Sequence, residues 1–164
     1  MIDAIKSYFT DRMNPNAHKG EDAVNHQLQL ATAALLIEMA QEDNTRHSME
    51  FQAIHEGIQE VFRLSVEETT EIIDLADREA HEATDHFEFT ALINEHFDYA
   101  HKCKVVELLW RVSLSDADMD KYEEHLVRKI AGLLHVEHRD YIAAKLKVQR
   151  EYSTSYLSEY GEFE

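Results

Sequence analysis

Turn-forming residues are scarce in this chain. Proline occurs once, at Pro15, and glycine four times in 164 residues. A sheet of many short strands needs more of both, so their scarcity points to helices. Cysteine is nearly missing too. Cys103 stands alone, which excludes a disulfide within the chain and fits a reducing compartment. Long apolar runs are missing: the strongest, residues 33–37, stops at Glu38, far short of the ~20 residues a spanning helix needs. The opening residues, MIDAIK, lack the basic-then-apolar order of a signal peptide. No G-x-S-x-G, P-loop or G-x-G-x-x-G motif occurs. The expectation is a cytoplasmic protein with no membrane span and no organic cofactor.

Basic residues are the other deficit. Sixteen Lys and Arg face 33 Asp and Glu, a formal net charge of −17. Such a field repels nucleic acid and anionic lipid, and favours cations and basic protein partners. At this length the chain makes one domain, able to bury about two thirds of its unfolded surface. Self-association stays open.

What is present is helical periodicity. Ile2, Ile5 and Phe9 share a face, and Asn14-Pro15-Asn16 ends that helix. Residues 23–41 follow, apolar nearly all round from Leu30 to Ala40, the mark of a buried central helix. Glu38 interrupts it, and Glu107 interrupts a second such helix after Tyr99. Buried carboxylates need partners, and pairing with Lys or Arg is the expectation for both. Ile54, Ile58, Val61 and Phe62 mark the next helix. Ser65 with Glu68 matches a capping box and opens another, carrying Val66, Ile72, Ile73, Leu75 and Ala76. Asp85 with Glu88 is a second such match, ahead of Phe87, Phe89, Leu92, Ile93 and Phe97. Trp110 and these phenylalanines read as core. Tyr122 to Leu134 is a clean amphipathic helix, and a last one starts near His138, carrying Tyr141, Ile142, Ala143 and Leu146.

The chain repeats itself. Asp43, His47 and Glu50 fall on Asp116, Asp120 and Glu123 at one constant offset, as do Leu35-Leu36 on Leu108-Leu109. The following stripe slips by one residue, so that Ile54, Ile58, Val61 and Phe62 fall on Leu126, Ile130, Leu133 and Leu134. The expected fold is therefore all-α: a single bundle of about seven to eight helices built from two copies of a helix–acidic turn–helix unit. The domain spans residues 1–150, with copies at about 23–83 and 99–150. Residues 151–164 form an acidic, aromatic tail.

These features resemble the TerB-like family, named after a tellurite-resistance protein. Its members carry a turn of the form A-D-G-x-x-D-x-x-E after an apolar helix, often twice. This chain has SDADMDKYE at 115–123 and EDNTRHSME at 42–50. The pieces LLIEMA (35–40), EATD (82–85), FTALINEHF (89–97), VELLW (106–110) and IAAKL (142–146) resemble one uncharacterised bacterial branch. Ala117 and Asn44 stand where the family usually has glycine, and His47 replaces an aspartate. The resemblance implies an all-helical module with a role in tellurite or general stress.

The acidic turns are the chemical candidates. Asp116, Asp118, Asp120 and Glu123 offer only oxygen donors, which suits a hard cation such as calcium or magnesium. Asp43, His47 and Glu50 form the weaker counterpart. The competing reading is structural, because Asp120 with Glu123 also makes a capping box. The second turn is no EF-hand, since Lys121 and Val127 hold the places that need glycine and glutamate. His81, Asp85 and His86 lie close together, but their spacing is not that of H-E-x-x-H. Lys102 and Lys104 flank Cys103, a setting that can lower a thiol pKa. No residue set identifies a catalytic centre. The reading is a non-enzymatic module that binds a divalent cation, a protein partner, or both. Its rivals are a metal-free interaction scaffold and a hydrolase using paired carboxylates.

Overall fold

The computed structural model describes residues 2–13, 20–42, 49–81, 87–115 and 121–160. Among them every regular element is a helix: α1 Ile2–Arg12, α2 Glu21–Glu42, α3 Met49–Phe62, α4 Val66–His81, α5 Glu88–His96, α6 Tyr99–Ser113, α7 Lys121–Leu133 and α8 His138–Tyr160. None of these is long and apolar enough to cross a membrane.

The two helices that are apolar all round form the centre. Every residue of α2 from Leu30 to Ala40 is buried, and α6 is buried from Val105 to Trp110. Burying one Leu or Ile in such a seam contributes about 1.5–3 kcal/mol. α2 packs on α6; α4 lies against α2, and α8 lies against α6. α3 and α7 each touch both central helices. α1 and α5 pair with each other beside α2 and α4. At Gly57 a Cβ would sit 2.9 Å from Val112 Cγ1, so the missing side chain is what lets α3 approach the end of α6 this closely.

Local signals set the helix ends. Glu68 N donates to Ser65 Oγ at 3.1 Å while Ser65 N donates to Glu68 Oε1 at 3.0 Å, the capping box read from the sequence. Asp98 caps α6 by accepting from His101 N at 2.7 Å. The Asp85–Glu88 box is not how α5 begins. Asp85 lies outside the described residues, and the helix starts at Glu88 after Phe87 in extended backbone, with no side-chain cap of its own.

The sequence-matched positions match in burial. Ile54, Ile58 and Phe62 are buried, as are Leu126, Ile130 and Leu134, while Val61 and Leu133 are both only half-buried. α3 and α7 also end alike. Among the described residues, Arg63 (φ 52°) and His135 (φ 60°) are the non-glycine residues in the left-handed region, each followed by a buried residue, Leu64 or Val136. Three expected core residues differ: Val66 is 73% exposed, Leu146 is 50% exposed and Ala143 is exposed too. Val66 is the first residue of α4. α8 continues past residue 150 without a break to Tyr160. Tyr152 OH donates to Arg111 O at 2.7 Å, and Glu151 meets Arg111 at 2.7 Å.

Candidate functional site

The acidic turns fall at the ends of the central helices. α2 stops at Glu42 and α3 begins at Met49; α6 stops at Ser113 and α7 begins at Lys121. Asp43, His47, Asp116, Asp118 and Asp120 lie outside the described residues. Glu50 and Glu123 stand in the first turns of α3 and α7, where a helix macrodipole favours an anion. Their side chains are not described. Among the described residues, no three His, Cys, Asp or Glu side chains cluster closely enough to hold a metal ion. His81 ends α4, and Asp85 and His86 are outside the described residues.

The described acidic chemistry concentrates at the start of α5. Glu38, on α2, is 3% exposed. Its Oε2 accepts from Phe89 N at 2.9 Å; its Oε1 accepts from Thr90 N at 3.2 Å and from Thr90 Oγ1 at 2.8 Å. Glu79, on α4, is 6% exposed, and its Oε1 accepts from Glu88 N at 3.3 Å. Three consecutive α5 amides are thus taken by carboxylates from two other helices. This is the cap that α5 lacks in its own sequence. It also explains why Glu38 needs no Lys or Arg, contrary to the sequence expectation. A helix N-terminus supplies the compensating positive end.

Two carboxyls this close cannot both ionise. Burial, then the Glu38 charge and the hydrogen bond to it, push Glu79 up to about 9, so Glu79 keeps its proton at neutral pH. Burial pushes Glu38 up as well, but hydrogen bonds from Glu79, Phe89 and Thr90 oppose that and favour its ionised form. Glu79 Oε2 is buried and accepts no hydrogen bond, as suits the oxygen that carries the proton. We therefore assign the shared proton to Glu79. The signal for Glu79 was in the sequence: Ile72, Leu75, Ala76 and Glu79 follow the helical i, i+3, i+4, i+7 spacing, which puts Glu79 on the core stripe.

Glu107 behaves as its sequence implied. It lies among Lys104 (4.0 Å), Arg111 (3.5 Å) and Lys147 (2.8 Å). The Lys147 approach is off the hydrogen-bond direction and leaves Glu107 Oε1 without an aligned donor. Cys103 is not activated. Burial pushes its thiol up, and the nearby acids Asp140, Glu107 and Glu137 add to that, against an opposing effect of the neighbouring Tyr99 hydroxyl. Trp110 is fully buried, with Nε1 donating to Tyr141 O at 3.2 Å.

Two surface clefts stand apart from the carboxyl pair. One, about 310 Å³, lies beside Lys104, Arg111 and Tyr152. The other, about 430 Å³, runs between α7 and α8 and is lined by His125, Arg128, His138, Tyr141, Ile142 and Lys145, with Glu124. Neither includes Glu38 or Glu79, so a substrate has no path through these clefts to the paired carboxyls.

A family model described as tellurite resistance protein TerB matches residues 29–146. No curated protein matches the chain. No solved structure matches it either.

Proposed function

The chain belongs to the TerB family, and from that premise we propose that it is a non-enzymatic module which binds a divalent cation, calcium or magnesium, at its acidic turns and engages a protein partner. The observation that carries this reading is where the turns stand. Each links a buried central helix to the next helix, α2 to α3 and α6 to α7. Two polar pairs at corresponding positions support treating the halves as copies. His26 meets Glu68 at 2.6 Å between α2 and α4, and Tyr99 OH donates to Asp140 Oδ2 at 2.5 Å between α6 and α8. Asp116, Asp118, Asp120 and Glu123 supply the all-oxygen set a hard cation prefers, and Asp43, His47 and Glu50 a mixed one. When bound, the cation would supply positive charge that draws carboxylates together and orders the turn.

Thermal denaturation tests it. A ligand that binds only the folded state stabilises by about 2.7 kcal/mol at a hundredfold excess over Kd, worth roughly 5–10 °C for a chain of this size. Calcium or magnesium should raise Tm beyond sodium at matched ionic strength, which controls for screening of the acidic surface. The rise should vanish in Asp116→Asn with Glu123→Gln. Asp120→Asn should lose the cation effect yet keep its metal-free stability, because asparagine is also a good N-cap. Equal responses to sodium and calcium would reduce the turns to helix caps and leave the metal-free scaffold. The module's role in tellurite resistance is carried over from the family's description. Growth on tellurite of a deletion strain, complemented with wild type or Asp116→Asn with Glu123→Gln, tests that part.

A further inference from the structure

Charge along this chain is unevenly placed. Residues 125–150 carry six Lys or Arg and two acids, against a net charge of −17 for the whole. That segment builds α7 and the first half of α8, and it lines the 430 Å³ groove between them. Arg128 and His125 stand exposed on one wall with Glu124; His138 and Lys145 stand on the other, and Lys145 meets Glu124 at 3.3 Å. The floor is aromatic. Tyr141 lies 5.2 Å from the Trp110 ring and 5.6 Å from His138. Ile142 lines the groove half-buried, and Leu146, half exposed, lies one helical turn further along α8. A basic groove with an apolar floor calls for an acidic segment that carries aromatic or aliphatic side chains.

The chain contains such a segment. Residues 151–164, EYSTSYLSEYGEFE, hold four glutamates and no Lys or Arg, with Tyr156, Leu157, Tyr160 and Phe163. It cannot reach the groove of its own molecule. From Ile142 to Tyr160 the chain is unbroken helix, which separates these residues by ~27 Å at ~1.5 Å per residue. The last four residues span at most ~14 Å even fully extended. We propose that residues 156–164, the part of this segment beyond the contacts of Glu151 and Tyr152 with Arg111, dock in the α7–α8 groove of a second copy of the chain. Two copies with their α8 helices antiparallel exchange segments reciprocally, which fills both grooves and closes the assembly as a twofold dimer. None of the acidic-turn ligands takes part, so the proposal stands or falls separately from cation binding.

Light scattering on the full-length chain across a range of concentrations reads the result. We expect a mass of twice 19.1 kDa, with an association that weakens as salt is raised. Arg128→Glu should weaken it at least about tenfold, and so should Glu159→Lys with Glu162→Lys. Arg128 is exposed, so its loss should leave near-UV circular dichroism unchanged. Mixing the two variant chains should restore the dimer, because each groove then meets a segment of opposite charge. A synthetic peptide of residues 151–164 should compete with it. A wild-type chain monomeric at every concentration overturns the proposal. So does a dimer indifferent to these charges, or a variant mixture that stays monomeric.

Discussion

Exchanging either buried glutamate for glutamine should have opposite consequences, although the two side chains are close in space and equal in size. In Glu79→Gln the amide can take over both roles of a protonated acid. Its oxygen accepts from Glu88 N, and its NH₂ donates to Glu38 where the proton did. Near pH 4.5 the expected cost is below about 1 kcal/mol, since one satisfied arrangement replaces another, and at neutral pH, where folding wild type must take up the Glu79 proton, the substitution should be neutral or stabilising. Glu38→Gln is different. Glu38 receives hydrogen bonds from Phe89 N, Thr90 N and Thr90 Oγ1. Glutamine offers one oxygen and turns an NH₂ toward other donors. Hydrogen bonds to a charged acceptor are worth about 1.5–3 kcal/mol each, and the charge at the α5 N-terminus up to about 2 more. A loss of about 3–5 kcal/mol is expected, the usual cost of leaving one member of a buried polar group unpartnered. That is a large share of a total stability of about 5–15 kcal/mol.

The pH dependence sharpens the contrast. Folded Glu79 holds its proton to about pH 9, while an ordinary glutamate releases it near 4.5. Its contribution is therefore complete below about 4.5 and is lost as pH rises through about 9. Glutamine cannot titrate. Urea denaturation of both proteins over this range should show Glu79→Gln gaining steadily on wild type as pH rises. Equal losses for the two substitutions at neutral pH would refute the assignment of the proton to Glu79. So would a difference between wild type and Glu79→Gln that stays flat with pH.

Two further substitutions probe the packing. Trp110→Ala should cost about 3–5 kcal/mol by chemical denaturation, because it empties a fully buried site and leaves Tyr141 O without its donor; a loss under about 1 kcal/mol would contradict the central α6 seam. Gly57→Ala and Gly132→Ala should part in sign. An added Cβ at Gly57 meets stiff Val112 Cγ1 at 2.9 Å, and overpacking of about 1–3 kcal/mol outweighs the helix-propensity gain, whereas Gly132 has open space and should gain about 0.5–1 kcal/mol. Melting temperatures of the two variants decide it.

The helices were legible because each carries its own period. The all-round apolar stretches around Leu35 and Leu108 named the centre, and Ser65 with Glu68 named a helix start. The cap of α5 was not legible. It comes from Glu38 and Glu79, which lie on other helices and reach the α5 amides only in the packed fold. Sequence rules for caps look a few residues upstream, and there they found Asp85. The same locality misjudged Cys103. Neighbouring lysines in sequence suggested a lowered pKa, but the space around the thiol is set by Tyr99, Asp140 and burial. Val66 and Leu146 fit apolar patterns whose faces the bundle leaves open.

Positions matched by the sequence offsets titrate differently. Glu38 and Glu79 fall, by the same offsets, on Arg111 and Glu151, which form a 2.7 Å ion pair. A guanidinium stays charged over any ordinary pH, so this contact keeps its cation where the first half relies on a proton. His26–Glu68 and Tyr99–Asp140 part in the same way. Burial tends to raise Glu68, but hydrogen bonds from Ser65 and His26 outweigh it and hold the carboxyl low. That contribution is present at neutral pH and lost as pH falls. Tyr99, raised to about 12 chiefly by its hydrogen bond to Asp140, keeps its proton far into the alkaline range. The first half therefore has a buried contact that gives way as pH rises, Glu38 with Glu79, where the matched Arg111–Glu151 pair keeps its cation. Native-state hydrogen exchange, corrected for the intrinsic rate, should then show alkaline loosening at Phe89 and Thr90 of α5 before any loss in α6 or α8. In Glu79→Gln that early loosening should disappear. Simultaneous loosening of all these helices in wild type would mean that the carboxyl pair is not the contact that gives way.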